Sequence, residues 1–328
     1  MCVGLLYLRA DILQPSFGCY NIIMISRYTY HDLVWIDMES PSKEEVAHIM
    51  EEFSIPHLVA EETVSSTLHA KVELYDNLIY MILHFPPSRH GDEKDTEQEI
   101  DFIIGKKFII TVHYEAIYSI EQFAKLFELK NAFTKEQKIV NGGFLFVEMM
   151  KQFYEHSLHK LDDITKVVRE IEYYIFNGHE DKMVKKISNT GKKLLDFKQA
   201  LRFHRDILNS YVSASVKLFG EDYRYYAEVV TSEFNKVSSL LESNRDALSE
   251  LQRTNDSLLS TKTNDTMRTF TILTFVLMPL TIITGVFGMN MSDSLTFIQT
   301  KNDFFFVIGA MTLTGLVMFL FFKLRKWL

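Results

Sequence analysis

An asparagine amide stands in an unlikely place in this chain: Gly288-Met289-Asn290 lies near the end of an uncharged run, Thr269 to Ser292. A second uncharged run, Phe304 to Phe322, follows after a short polar loop. A stretch of about 18 or more apolar residues without charge is long enough to cross a hydrocarbon core ~30 Å thick. Two such stretches joined by a short loop make a membrane hairpin, with the tripeptide at its far mouth. The chemistry this implies is passage of a solute, concentrated in the last fifth of the chain.

Other residue sets capable of chemistry are weaker. No nucleophile and base pair up at a useful spacing, so an enzyme is not expected. No glycine-rich phosphate loop is present, so no nucleotide is expected. His156, His159, Asp162 and Asp163 have the spacing of helical metal ligands. On a polar helix face a solvated surface is the plainer account of them. Asp293 and Asp303 could concentrate cations at the outer mouth, although acids flanking Lys301 also suit an ordinary soluble loop.

The elements that must position the mouth can be read upstream of it. From Glu221 to Met278 there is neither Gly nor Pro, and one helix from there to Met289 would be on the order of 100 Å long at ~1.5 Å per residue. Such a length needs support from other helices, as in a stalk. Val230, Phe234, Val237, Leu241, Leu248, Leu251 and Leu258 recur at heptad spacing and form an apolar seam for that support. A second stripe carries Ser232, Ser239, Ser243, Asp246, Glu250, Arg253, Ser257 and Ser260. In the same phase it continues as Asn264, Met267, Thr271, Thr274, Met278, Thr281 and Gly285. Small and hydroxylated residues on a membrane helix suit close helix packing. They equally suit a pore lined by several copies, which a single hairpin cannot enclose and a ring of subunits can. Continuation into a polar cytosolic stripe favours the pore.

Before this helix the pattern is mixed α/β. Leu33–Ile36 reads as a buried strand, and Ser40-Pro41 opens a helix with Val46, Ile49, Met50 and Phe53 on its apolar face. Lys71 to Phe85 reads as two strands around Asp76-Asn77, and Ile100–Ile104 pairs with Phe108–Val112 around Gly105-Lys106. Between the pairs, Ser88 to Glu99 is a polar loop. Helices are expected over about 120–129, 144–176 and 179–211, with a turn at Asn177-Gly178. The division is therefore residues 1–23, an N-terminal extension or a misassigned upstream start before Met24; 24–142, an α/β domain; 143–263, a helical part and stalk; and 264–328, a hairpin with spans at about 267–289 and 304–323.

Charge divides the same way. Five of the 35 basic and three of the 43 acidic residues lie from Asn264 onward, so the preceding part is net −10 and the remainder +2. An acidic body argues against nucleic acid, which needs a basic footprint. Both cysteines, Cys2 and Cys19, fall in the first 23 residues, so disulfides do not hold the body together. No basic n-region precedes an apolar core there, and no signal peptide is read. The tail Lys323-Leu-Arg-Lys-Trp-Leu, with Lys262 and Arg268 before the first span, puts both termini in the cytoplasm by the positive-inside rule, with Trp327 at the inner interface.

The run Met278-Pro-Leu-Thr-Ile-Ile-Thr-Gly-Val-Phe-Gly-Met-Asn290, the second span and the basic end resemble the CorA-type magnesium channels. Lys262-Thr-Asn264 and Met267, Trp35-Ile-Asp37, Lys71-Val-Glu73 and Phe108–His113 fit as well, so the resemblance runs from about Tyr28 to the C-terminus. It implies an α+β membrane protein: an N-terminal cytosolic α/β/α domain, a long stalk helix continuing into the first of two C-terminal transmembrane helices, and a homopentamer in the cell (inner) membrane. Gly288, Met289 and Asn290 would form the selectivity mouth. Asn264, Met267, Phe270 or Thr271, Thr274, Met278, Thr281 and Gly285 would line the pore, with Met267 and Met278 at a hydrophobic gate. Mg²⁺ would be the ion moved and the regulator as well.

Physical chemistry fits that assignment. Mg²⁺ gives up its water reluctantly, and a ring of amide oxygens can accept hydrogen bonds from the water shell without stripping it. Apolar constrictions can gate by dewetting. The resemblance also implies a regulatory Mg²⁺ between cytosolic domains, held by an acid on the stalk and acids on a neighbouring loop. Counting back without gaps from Asn264 puts the stalk acid at Val229, which cannot ligate. Glu228 is adjacent, and Asp92, Glu93 and Asp95 could supply the loop side; a solvated acidic surface is the plain alternative for each. Two further functions remain: a transporter of the same fold for Zn²⁺, Co²⁺ or Ni²⁺, against which Met289 argues, and a membrane-anchored scaffold that transports nothing.

Overall fold

The computed structural model describes residues 24–87, 97–133, 141–288 and 303–325. Six strands form one sheet: β1 (Met24–Tyr30), β2 (Leu33–Glu39), β3 (Lys71–Leu74), β4 (Leu78–Phe85), β5 (Gln98–Gly105) and β6 (Phe108–His113). Their spatial order is β1-β2-β6-β5-β4-β3. β2 and β6 run parallel, with Asp37 opposite Thr111, and the other neighbours run antiparallel. β4 and β5 are buried on both faces along their whole length. That fits strands between two helical layers and explains the nearly continuous apolar composition of β4, whereas β5 also takes Gln98, Glu99 and Asp101 inside.

Helices α1 (Lys43–Glu52) and α2 (His57–Glu62) cover one face. Val46, Ile49 and Met50 of α1 and Val59 of α2 join Ile36, Met38, Tyr80, Ile82, Ile103, Ile110 and Val112 in one core. The opposite face carries Trp35 and Phe102. Trp35 meets Phe123 and Phe127 of α3 (Tyr118–Phe133) edge-on, and Phe102 meets Phe146 of α4 (Gly142–Phe176). This is the expected α/β/α sandwich.

Local chemistry moves several boundaries. α1 begins at Lys43 rather than Pro41, because Ser42 and Glu45 close a capping box: Glu45 N–H donates to Ser42 Oγ and Ser42 N–H to Glu45 Oε2. β1 was not anticipated; it pairs with β2 through a tight turn in which His31 takes a positive φ, with no Gly or Asn to signal it. The polar segment after β4 ends earlier than expected, since Gln98 and Glu99 already pair with Phe85 and His84. Asn141 caps α4, its Oδ1 accepting from Phe144 N–H at 3.0 Å. Gly142 lies so close to the carbonyls of Gly105 and Phe108 that a Cβ there would collide with backbone. The helix expected over 179–211 is two, α5 (Glu180–Leu201) and α6 (His204–Phe219), broken at Arg202-Phe203.

The last two helices are α7 (Arg224–Gly288, 65 residues) and α8 (Asp303–Leu324). Each contains a window long and apolar enough to cross a membrane. The chain forms two compact units, one running up to Tyr173 and including Lys185–Glu250, the other made of Tyr174–Val184 and Leu251–Leu328. Along α7, Val230, Phe234, Val237, Leu241, Leu248 and Leu251 of the heptad seam are buried, whereas Leu258 is exposed. Two seam positions that apolar counting passes over are also buried, Asn244 and Asn255. Asn244 Nδ2 donates to the Leu161 carbonyl at 3.5 Å. A polar residue in such a seam trades stability for a fixed register.

Candidate functional site

Two sets of polar residues compete for the functional role: one inside the sheet, the other along α7. The first comprises the motifs of the α/β domain. The structure brings Trp35, Asp37, Thr111 and His113 together across β2 and β6. Trp35 Nε1 donates to Thr111 Oγ1 at 3.0 Å, Thr111 Oγ1 donates to Asp37 Oδ1 at 2.5 Å, and His113 Nε2 lies 3.3 Å from the same carboxylate. Burial works against a charge on His113, yet the hydrogen bond and charge of Asp37 outweigh it and raise its pKa. Lys71 forms ion pairs with Glu62 and Glu73, and Glu73 also accepts from Tyr75 OH at 2.8 Å. Trp35, Thr111 and His113 satisfy one another with Asp37 in the interior, whereas Lys71, Glu62 and Glu73 pair where the sheet is part-exposed. Their role is to hold the sheet.

A second interior cluster escaped sequence reasoning. Tyr80 OH donates to Asp101 Oδ2 at 3.1 Å, and Thr67 N–H donates to Glu99 Oε2 at 2.6 Å. Burial, followed by the neighbouring Glu99, pushes the Asp101 pKa well above the usual carboxylate range. In sequence Glu99 reads as a loop residue and Asp101 as a strand residue, and only the pairing with β4 shows that both are interior.

The second set lies on α7. Every stripe residue from Ser232 to Ser260 is solvent-exposed on the face away from the buried seam. In the same phase Asn264, Met267, Thr274, Met278, Thr281 and Gly285 are exposed and Thr271 is half-buried. Met267, Phe270 and Met278 are each 60% exposed. The threonine hydroxyls turn inward upon their own helix: Thr271, Thr274 and Thr281 donate to the carbonyls of Met267, Phe270 and Leu277, at 2.8–2.9 Å. Each hydroxyl thereby discharges its proton without a partner helix and keeps its oxygen lone pairs for a solute or water. Pro279 lacks an N–H, so the Phe275 carbonyl loses its ordinary helical donor one turn below. A Cβ added at Gly285 would meet nothing within 4 Å. Gly288 ends the helix, while Met289 and Asn290 lie outside the described residues.

Of the regulatory candidates, Glu228 alone lies among the described residues. Glu228 is exposed on the rim of an open cleft of about 300 Å³ between α6 and α7, with Asn209, Val212, Thr231, Ser232 and Asn235. It is the one carboxylate in that lining, and Thr231 Oγ1 there is buried without a partner. Asp92, Glu93 and Asp95 lie outside the described residues. Among the described residues no three His, Cys, Asp or Glu side chains are grouped to hold a metal. That includes His156, His159, Asp162 and Asp163. His156 faces the Tyr118 ring, and burial together with the Lys160 charge lowers its pKa.

Comparison with known proteins bears on the same helix. The family model described as CorA-like Mg²⁺ transporter protein matches residues 30–326. The chain is 26% identical over 310 residues to the putative metal ion transporter YfjQ of Bacillus subtilis, covering 93% of each. It is 23% identical to the cobalt/magnesium transport protein CorA of Thermotoga maritima, covering 90% of this chain and 83% of that one. In three dimensions it matches the CorA magnesium transporter of Methanocaldococcus jannaschii with a TM-score of 0.76 at 21% identity, over 97% and 95% of the two chains. It also matches the ZntB cytoplasmic domain of Vibrio parahaemolyticus with a TM-score of 0.58 at 11% identity, over 70% and 88%.

Proposed function

The chain belongs to the CorA-like Mg²⁺ transporter protein family, and from that membership we propose that it is a passive channel importing hydrated Mg²⁺ through a pore lined by α7. The observation that carries this reading is the stripe of α7 from Ser232 through Asn264 to Gly285, exposed at each of its positions but the half-buried Thr271. Thr274, Thr281 and Gly285 recur in one phase among bulky apolar residues, a composition that supports one water-facing side on an otherwise apolar helix. One copy cannot enclose a path, so the working form is a ring of copies, a homopentamer as in the family resemblance. Asn290, Met289 and the Gly288 carbonyl ring the outer mouth and hold the water shell of the ion. Met267 and Met278 narrow the path and gate it by dewetting. The membrane potential supplies about 2.3 kcal/mol per charge per 100 mV, and about twice that for a divalent ion. Both termini then face the cytoplasm of an inner membrane, and binding of cytosolic Mg²⁺ near Glu228 and the Asp92–Asp95 loop closes the pore.

The family membership already sets aside an enzyme. The choice among ions is open to one specific second reading, because relatives include a protein named for cobalt as well as magnesium. Uptake into liposomes with Mg²⁺, Co²⁺, Ni²⁺ and Zn²⁺ decides it: a Mg²⁺ flux that rises with an inside-negative potential is expected, and a Zn²⁺ flux without Mg²⁺ flux would replace this reading. Asn290→Ala is expected to abolish Mg²⁺ uptake while the oligomer survives. Undiminished uptake would remove the selector role.

A further inference from the structure

Two carboxyl groups stand next to each other inside the α/β body, and each has one oxygen that no described donor meets. Glu99 and Asp101 are alternate residues of β5, so their side chains leave the sheet on the same face. They are 7% and 0% exposed. Asp101 Oδ2 accepts from Tyr80 OH at 3.1 Å and from Tyr114 OH at 3.5 Å. Glu99 Oε2 accepts from Thr67 N–H at 2.6 Å and lies 3.7 Å from His84 Nε2. The remaining oxygens, Asp101 Oδ1 and Glu99 Oε1, are buried, and no described residue donates to them. Yet the two carboxyls are in hydrogen-bond contact with each other.

Ionised carboxylates only accept, so two of them in contact lack a donor that one proton supplies. Two like charges this close in a dry interior do not both persist. The described groups around the pair provide no other donor. On β4, Tyr80 already gives its proton to Asp101 Oδ2, and His84 Nε2 bonds to the Thr67 carbonyl at 2.8 Å. On β3, Lys71 is held by Glu73 and by Glu62 of α2, and Tyr75 OH donates to Glu73. After β6, Tyr114 OH is spent on Asp101 Oδ2, and Glu97 adds only a further negative charge beside His84. Burial and then the Glu99 charge favour the neutral form of Asp101.

We propose that Glu99 and Asp101 hold one proton between Oε1 and Oδ1, and that this proton latches the connection between α2 and β3 onto the sheet. Thr67 is the point of contact: Glu99 holds its N–H and His84 its carbonyl. Removing the proton sets two buried anions against each other. Asp101 is fixed by two tyrosine hydroxyls at zero exposure, so Glu99, the outer of the two, gives way and releases Thr67. The latch therefore opens as pH rises through the value at which the pair loses its proton. It belongs to the α/β body alone and is independent of which ion is carried.

The test uses the full chain in a detergent without carbonyl groups, with infrared spectra taken as pH is raised from neutral. Wild type minus Asp101→Asn is expected to show the carbonyl stretch of one protonated carboxyl at neutral pH, fading as pH rises. Glu99→Gln removes the neighbouring charge and is expected to move that fading to lower pH by at least about one unit, a tenfold weaker hold on the proton. Amide exchange over residues 63–70, corrected for its intrinsic base catalysis, is expected to quicken at least about fivefold through the same pH in wild type. In Asp101→Asn the new amide donates to Glu99 permanently, and no such step is expected. Absence of the band, or a fading pH untouched by Glu99→Gln, overturns the shared proton. Unchanged exchange over 63–70 while the band fades overturns the latch. Should Asp101→Asn fail to fold, wild type still decides, because separate midpoints for band and exchange overturn the proposal. Loss of the band on adding Mg²⁺ at constant pH puts a cation on the pair and overturns it as well.

Discussion

Thr111 and Thr274 are the same residue in two regions that use it oppositely. In the sheet, Thr111 is buried and links two strands, receiving a hydrogen bond from Trp35 and giving one to Asp37 more than 70 positions away. On α7, Thr274 is exposed and bonds only to Phe270, one turn back in its own helix. The Trp35–Thr111–Asp37–His113 network of the α/β body is thus satisfied within one chain. The membrane helix is locally complete but laterally unfinished, with Met267, Phe270 and Met278 open on its surface. A helix whose polar groups are satisfied internally while its apolar side chains lie open suits a lipid surrounding.

The sharpest way to break that contrast is Thr111→Val. It removes the acceptor of the Trp35 indole N–H and the donor to Asp37, leaving buried polar atoms unpaired at about 1–3 kcal/mol each. A loss of roughly 2–4 kcal/mol is expected in denaturant unfolding of the detergent-solubilised chain. A loss below about 0.5 kcal/mol would mean that the network is incidental to the body.

Acid should expose the same self-sufficiency. His204 is fully buried; its Nε2–H donates to the His84 carbonyl at 2.8 Å, so Nδ1 is free to accept from Tyr154 OH at 2.7 Å. Burial depresses its pKa to about 4 from an ordinary 6.5. A histidine depressed in the folded state contributes stability that is fully present above about 6.5 and is lost as pH falls toward 4, because only the unfolded chain takes up the proton. The gap corresponds to about 3 kcal/mol at the limit. Thermal unfolding between pH 7 and 4.5 should show the body melting progressively earlier, and His204→Gln should flatten that slope while costing stability at pH 7. An identical slope in the variant would assign the acid sensitivity elsewhere. Asp101 opposes it: with a folded pKa above the unfolded one, its contribution is present below about 3.9 and is lost as pH rises through the folded value.

The two regions also differed in how far they could be read from sequence. The stripe on α7 was legible because a long helix without Gly or Pro keeps one phase, so each residue's face follows from its number. The strands β4, β5 and β6 were legible from apolar runs. What escaped depended on pairing partners, near or far in sequence, and not on residue type alone. β1 is specified by pairing with β2, and its turn by a positive φ at His31, beside Asp32 and without the Gly or Asn that usually takes that conformation. Glu99 and Asp101 are interior only because β4 lies beside them. Asn244 and Asn255 belong to the seam by position, although their polarity argues against it. The motif residues Trp35, Asp37, Thr111 and His113 were visible as a pattern but not as a structural network.

The smallest expected effect on stability is the most informative about α7. Thr274→Val keeps the shape of the side chain and removes a hydroxyl whose described bond is to its own helix. No tertiary donor or acceptor is orphaned, so the change in unfolding free energy should stay within about 0.5 kcal/mol. If the hydroxyl oxygen faces a hydrated ion path, the same substitution makes that ring of the pore apolar and extends the dry constriction set by Met278. Mg²⁺ uptake should then fall severalfold with the oligomer and its melting unchanged. A fall in stability without a change in flux would place Thr274 in a helix–helix contact and take the stripe out of the pore. The outcome therefore tests whether Thr274 serves a solute path as Thr111 serves the sheet.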